Sequence, residues 1–251
     1  MDKTLIDLDQ QKTATRTVQT FPERDSRMAN REATHAMVER SPFFQAAGAT
    51  AMRGLLQSSF TQLLPKRTVL FGQGEEPDFL HLLLEGSVGL EMAGDRGGTT
   101  IVEIFRAGEV FVVPAVMLRL PYLPSAVALT EIRVLMIPAQ HFRECCQCSL
   151  DLSRATNELL CRHWRLMVDQ VVDLKLNSVE TRVSRFLARR VSEEAGAGCA
   201  YLPEPRSAIA ARLGMTPETL SRTIAGLEDK GKLRRGAKGP NVSDRGALVD
   251  L

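Results

Sequence analysis

The stretch RSAIAARLGMTPETLSRTIAGL, residues 206–227, carries the densest local signal in the 251-residue chain. A helix-like run, Arg206–Leu213, stops at Gly214, whose lack of a Cβ suits a tight turn. Thr216 then reads as an N-cap and Pro217 as the first helical residue. Glu218 follows where the helix dipole favours an acid. Ala210 is small where two helices must cross closely, and Ile209, Leu213, Leu220, Ile224 and Leu227 supply the contacts between them. The arithmetic is that of a helix-turn-helix. Glu218, Ser221 and Arg222 stand at i, i+3 and i+4 and share one face of the second helix. Arg can bond bidentately to guanine O6 and N7, Glu can accept from the cytosine amine, and Ser can touch either base type. These three are the candidate base readers.

Beyond this helix, Lys230, Lys232, Arg234, Arg235 and Lys238 surround Gly231, Gly236 and Gly239, the pattern of a basic β-hairpin. Thr216, Thr219, Arg206, Lys232 and Lys238 are the candidate phosphate contacts to double-stranded DNA. Charge supports the reading. The whole chain holds 32 basic and 30 acidic residues, an uninformative balance. Residues 178–251 alone hold 13 and 9, and residues 206–245 hold 9 and 4, so the excess is local to the candidate reader.

Upstream the period is helical from Ser149 to Leu176. Leu152, Leu159 and Leu166 fall seven apart, and no Pro or Gly occurs between Cys145 and Gly196. A rod of roughly 40 Å carries more apolar face than one small domain covers. A two-chain coiled coil with these leucines at its interface is one remedy, and burial within the monomer is the other. Asn177, with Glu180 three residues on, reads as the cap of a second helix, Val179–Glu194, which makes Asn177–Ser178 the candidate hinge.

From about Ser41 to Pro138 the pattern differs again. After a helix expected over Thr50–Leu63, short apolar runs recur at Thr68–Phe71, Phe79–Leu84, Val88–Met92, Thr100–Phe105, Ala126–Leu129 and Ile132–Ile137, separated by Gly-rich turns. Such spacing indicates a small all-β roll. Gly94–Gly98 is a natural hairpin loop. Residues 1–40 are polar, with 7 basic and 7 acidic side chains. Met1–Ser26 reads as disordered or loosely docked, with a targeting or partner-binding tail as the alternative, and Arg27–Glu39 can form a helix.

The expected fold class is therefore α+β. The expected order is an N-terminal extension (1–40), a β-roll sensor (41–148), a dimerisation helix (149–176) and a winged helix-turn-helix (177–251). No apolar run approaches the roughly 18–20 residues of a membrane span. The start lacks the features of a secretory signal, and five cysteines, three of them at Cys145, Cys146 and Cys148, do not resemble a secreted disulfide framework. The expectation is a cytoplasmic protein with no membrane partner. No nucleophile–base pair, phosphate loop or paired carboxylates stand out, so no enzyme is expected.

In this order the three parts resemble the CRP/FNR family of bacterial transcription regulators. Its marks are Gly74-Glu-Glu-Pro-Asp-Phe79 with Leu84-Glu-Gly86 in the roll, Asn177-Ser-Val-Glu-Thr-Arg182 at the hinge, and Pro217-Glu-Thr-Leu-Ser-Arg222 in the reader. CRP-type readers have Arg at the position of Pro217 and Gly at that of Ser221; the serine is the FNR-like choice. The resemblance implies a homodimer on a TTGAT-N4-ATCAA-like palindrome, one half-site per subunit, and contact with RNA polymerase if it activates. It also implies that a signal repacks the long helix and the hinge.

The family's cyclic-nucleotide binders carry a Gly-Glu pair and an Arg-Ser or Arg-Thr pair. Here Gly108-Glu-Val-Phe111 is followed by Val112-Val113-Pro114, and Pro124-Ser125-Ala126 stands where the second pair would be. Without the guanidinium a buried phosphate is poorly compensated, which argues against a cyclic nucleotide. The N-terminal cluster cysteines of FNR-type oxygen sensors are absent from residues 1–144. What remains open is an iron–sulfur cluster or redox thiols at Cys145, Cys146 and Cys148, haem near His163, a plain apolar pocket, or no effector. A rival reading is a ligand-binding module that acts on a protein partner. The polar face of Glu218, Ser221 and Arg222 weighs against it, because protein-contact helices expose apolar anchors.

Overall fold

The computed structural model describes residues 34–94, 98–193, 202–236 and 239–242. Met1–Ser26, the first seven residues of the Arg27–Glu39 segment, Lys238 and Cys199 lie outside them, and the side chains of Arg234 and Arg235 are not described. Residues 34–40 are helical (α1), followed by α2, Pro42–Gln57. Eight strands then form two four-stranded antiparallel sheets: β1 (Phe60–Leu64), β8 (Ile132–Pro138), β3 (Phe79–Glu85) and β6 (Val110–Phe111) in one, β2 (Val69–Phe71), β7 (Ser125–Ala128), β4 (Ser87–Ala93) and β5 (Thr99–Arg106) in the other.

Strand β3 shows why the roll closes. Leu80, Leu82 and Leu84 point to one side and join Phe43, Phe44, Leu55 and Phe142 of the helices. Leu83 points to the other side and joins Phe71, Val88, Phe105 and Phe111 between the sheets. A strand covered on both faces reads as an unbroken apolar run instead of an alternating one. At the β3–β4 turn Gly86 has φ +83°, and a Cβ there would lie 2.2 Å from the Glu131 carbonyl oxygen. Only glycine fits.

One expectation for this region needs correction. The helix expected over Thr50–Leu63 is instead Pro42–Gln57, and Phe60–Leu64 is strand β1, paired in register from Phe60↔Met136 to Leu64↔Ile132. The short run Phe60–Leu64 fits either period, and pairing with β8 decides it. Between β6 and β7, α3 (Val113–Leu118) starts after Val112 in a left-handed conformation.

Helix α4 (Ala139–Cys148) and α5 (Leu150–Leu176) are separated by a single extended residue, Ser149, whose hydroxyl accepts from the Leu152 N–H at 3.2 Å. Asn177 is extended and donates to Asp173 at 2.7 Å, while Ser178 Oγ accepts from the Thr181 N–H at 3.1 Å. The cap of α6 (Val179–Glu193) is therefore Ser178 and not Asn177, and Glu180 pairs with Lys230 at 2.6 Å. Helices α7 (Arg206–Arg212) and α8 (Pro217–Asp229) and the hairpin β9 (Leu233–Gly236) and β10 (Gly239–Val242) complete the described residues.

His81, 2% exposed on β3, stacks on Phe111 and tilts against Phe71. Its Nδ1 has no hydrogen-bond partner among the described residues, and burial lowers its pKa from 6.5 to about 3. Between those two values the unfolded chain binds the proton and the folded chain does not. This contribution to stability is complete above pH 6.5 and is lost as pH falls towards 3. Urea unfolding across that window is expected to show a slope to which this residue contributes about 1.4 kcal/mol per pH unit, and His81→Leu is expected to reduce the slope by that share.

Candidate functional site

The reader is built from its caps outward. Helix α7 ends at Arg212, and Gly214 takes φ +65°. A Cβ on Gly214 would lie 2.7 Å from Leu174 Cδ2, so the turn also marks a close approach to the end of α5. Arg182 Nη1 donates to the Leu213 carbonyl at 2.6 Å beside it. Thr216 caps α8 by accepting from the Thr219 N–H at 3.2 Å, with Pro217 first in the helix. Ile209, Ala210, Leu213, Leu220 and Leu227 are buried together.

Glu218 and Arg222 are exposed and Ser221 is half-buried. The Glu218 carboxyl is held below the usual carboxylate range, first by its own backbone N–H and then by the Thr216 hydroxyl. It stands ready as an ionised acceptor. Arg206 Nη1 donates to Ser221 Oγ at 3.1 Å, which brings this phosphate candidate onto the same face. Thr216 is exposed, Thr219 and Lys232 are half-buried, and β9 and β10 form the antiparallel wing.

Sequence reading missed the contacts that join reader and roll. Arg212 Nε and Nη2 donate to both oxygens of Glu103 on β5, at 3.0 and 2.8 Å, with side-chain exposures of 6% and 16%. Arg106 of β5 makes a second two-point pair with buried Glu204, at 2.7 and 3.0 Å, and Arg190 lies 3.7 Å from the same carboxylate. Gln170 Nε2 donates to the Val102 carbonyl at 2.8 Å. The partners lie about a hundred residues apart, so no local pattern announces them.

A cavity of about 450 Å³ opens beside these pairs. Phe105, Pro114, Leu118, Leu166, Met167 and Phe186 are among its walls, with His163, Arg189 and Arg212. Val112 and Pro114, the residues in place of the family's Gly-Glu step, also line it. Ser125 is used elsewhere, accepting from the Gln73 N–H at 3.0 Å.

The three cysteines of α4 sit in different settings. Cys146 is buried with its sulfur 3.7 Å from the Thr156 hydroxyl, Cys145 is half-buried 3.7 Å from His141, and Cys148 is exposed. Burial pushes the Cys145 and Cys146 thiols up, away from the thiolate form that metals and oxidants require. No group of three metal-ligating side chains occurs among the described residues. The described residues thus offer no ready-made ligand set at Cys145, Cys146 and Cys148. Adjacent positions on a helix diverge by about 100°.

The expected seam on α5 also shifts. Leu152 is fully buried in the chain's own core, Leu159 packs against that core, and Leu166 lines the cavity. The outward apolar face is instead Trp164 (70% exposed), Val168, Val171 and Val172. Leu152 and Leu159 thus serve the chain's own core and Leu166 the cavity, while the exposed valines follow them in the later turns of the helix.

Comparison with known proteins agrees with this architecture. The family model for a cyclic nucleotide-binding domain matches residues 61–149, and that for a Crp-like helix-turn-helix domain matches 181–251. The chain belongs to the CRP/FNR family. A relative described as a CRP-like cAMP-activated global transcriptional regulator, from Mycobacterium tuberculosis, is 22% identical over 217 residues, covering 85% of this chain and 97% of its own length. FixK2 from Bradyrhizobium japonicum superposes with a TM-score of 0.71 at 22% identity, over 77% of this chain and 96% of that one. A CooA variant from Carboxydothermus hydrogenoformans gives 0.66 at 18% identity, over 78% and 88%. This CRP/FNR chain is a transcription regulator with a DNA-binding helix-turn-helix and a cyclic-nucleotide-binding-type roll. No described helix is long and apolar enough to cross a membrane.

The roll–reader pairs are testable by themselves. Arg212→Met leaves Glu103 with its charge in a partly dry contact, at a cost of about 3 kcal/mol. Calorimetry is expected to show reader and roll melting separately in the variant and more nearly together in the parent.

Proposed function

We propose that the protein acts as a homodimer that reads a TTGAT-N4-ATCAA-like palindrome, each subunit using Glu218, Ser221 and Arg222 on one half-site. The observation that carries this is the outward face of α8. An ionised acid and an exposed guanidinium sit one turn apart there, on a helix capped by Thr216 and flanked by the β9–β10 wing. Thr216, Thr219, Arg206, Lys232 and Lys238 would engage phosphates, fixing register without reading sequence. Arg206 would also hold Ser221 in place through their hydrogen bond.

Dimerisation through α5 would place two recognition helices about one DNA turn apart. The support is the exposed Trp164, Val168, Val171 and Val172, a large apolar face on a charged helix that gains by burial against its own copy. The domain limits are those given above, 41–148, 149–176 and 177–251, with motion about Asn177–Ser178. The apolar lining of the cavity favours a signal other than a cyclic nucleotide. Contact with RNA polymerase would follow for an activator.

Fluorescence anisotropy on the palindrome tests the reader. Arg222→Ala is expected to weaken binding by about 1–3 kcal/mol per half-site, with preference relaxed at one base pair; equal affinity for palindromic and scrambled DNA in the parent would contradict the reading. Sedimentation velocity tests the seam. Trp164→Glu is expected to shift the dimer towards monomer by about 2 kcal/mol or more, whereas Leu152→Ala is expected to lower stability without changing the association state.

A further inference from the structure

We propose that the cavity between roll, α5 and reader binds a neutral, lipophilic small molecule carrying one hydrogen-bonding group, and that this molecule is the regulator's effector. The effector role rests on the DNA-binding reading above; the binding itself does not. The cavity of about 450 Å³ falls within the size range of small-molecule sites. Its walls come from roll, long helix and reader alike: Phe105 of β5, Leu118 of α3, Leu166 and Met167 of α5, and Phe186 of α6. An occupant therefore touches sensor and reader at once.

The charges around the cavity are already engaged with one another. Arg212 spends two donors on Glu103, Arg190 faces Glu204 and lies over the Phe186 ring at 4.9 Å, and Glu109 accepts from the Arg106 N–H at 2.6 Å. A phosphate or carboxylate on the ligand would have to break these pairs, and the pairs hold the walls together. Neutrality follows. His163 is the exception among the polar lining. It stands edge-on to Phe105, with ring centroids 5.7 Å apart, and makes no hydrogen bond among the described residues. Burial lowers its proton affinity, so the neutral imidazole offers one donor and one acceptor.

The mouth gives an independent indication. Leu118, Leu120 and Leu123 line the cavity and yet are 66%, 55% and 78% exposed. The loop that carries them is tied down at Tyr122, whose N–H donates to the Glu75 carbonyl at 2.9 Å, whose carbonyl accepts from the Gly74 N–H at 2.8 Å, and whose hydroxyl donates to the Phe79 carbonyl at 3.0 Å. The leucines therefore stay at the rim as a fixed apolar collar, a surface that a lipophilic occupant would cover.

The experiment titrates the full chain with the neutral fluorophore N-phenyl-1-naphthylamine. The expected result is saturable enhancement with a dissociation constant on the order of micromolar, reversed by 1-decanol but not by 3′,5′-cyclic AMP. Leu166→Trp, which fills the cavity, is expected to weaken the probe about tenfold. Leu123→Asn at the exposed rim serves the same purpose if the tryptophan disturbs folding. His163→Phe is expected to keep the probe and to weaken decanol about fivefold by removing its hydrogen bond. Non-saturable probe binding, displacement by cyclic AMP, or a Soret band on adding hemin that His163→Phe abolishes would each overturn the assignment. Decanol is expected to change anisotropy-measured palindrome affinity at least about threefold. No change would overturn the effector role, whereas failure to bind the palindrome under any condition would overturn the reader assignment and leave probe binding intact.

Discussion

The pair between Arg212 and Glu103 sets where the reader sits. Both oxygens of Glu103 are used, and one of them also accepts from the Ile104 N–H at 2.9 Å, so the carboxylate is fixed to its own strand before the arginine arrives. Removing two charges from water is unfavourable unless the geometry is two-pronged and the remaining lone pairs are met. Those conditions hold here, and they hold again for Arg106 and Glu204. Two such pairs, both starting from β5, pin the reader to one edge of the roll. The cavity exists because of that pinning, since Phe186, Arg189, Arg190 and Arg212 become its outer wall only when the reader is held there.

Helix α5 divides its length between two tasks. Its first turns bury Leu152, Ala155 and Thr156 against the chain's own roll. Its later turns present Trp164, Val168, Val171 and Val172 outward while Leu166 and Met167 face the cavity. The same turns thus border both the cavity and the outward apolar face. A change on one side of them is felt on the other because a packed helix moves as a rigid element.

The reader was legible in the sequence because its determinants are local. Thr216, Pro217, Glu218 and Gly214 act within a few residues of themselves, and each has the conformation its type demands. The roll's central strands were legible because burial on both faces leaves an unbroken apolar run. Strand β1 was not, since a short edge strand has no period long enough to separate it from the helix before it. The heptad leucines of α5 were read as an interface because periodicity shows that a stripe is buried, not against what. Cys145, Cys146 and Cys148 share one helix but not one environment, since Cys146 is buried, Cys145 half-buried and Cys148 exposed, and spacing alone does not show burial. The roll–reader ion pairs left no trace at all, because charged residues this far apart in the chain pair only once the fold exists.

Gly214 is more than a turn residue. The place its side chain would fill is held by Leu174 from the last turn of α5, with Arg182 of α6 beside it. The helix-turn-helix therefore does not end structurally at the Asn177–Ser178 boundary. As a module to be transplanted onto another sensor, it would have to carry Leu174 with it. A graft cut at the hinge would give the turn a foreign neighbour and leave it loose or crowded.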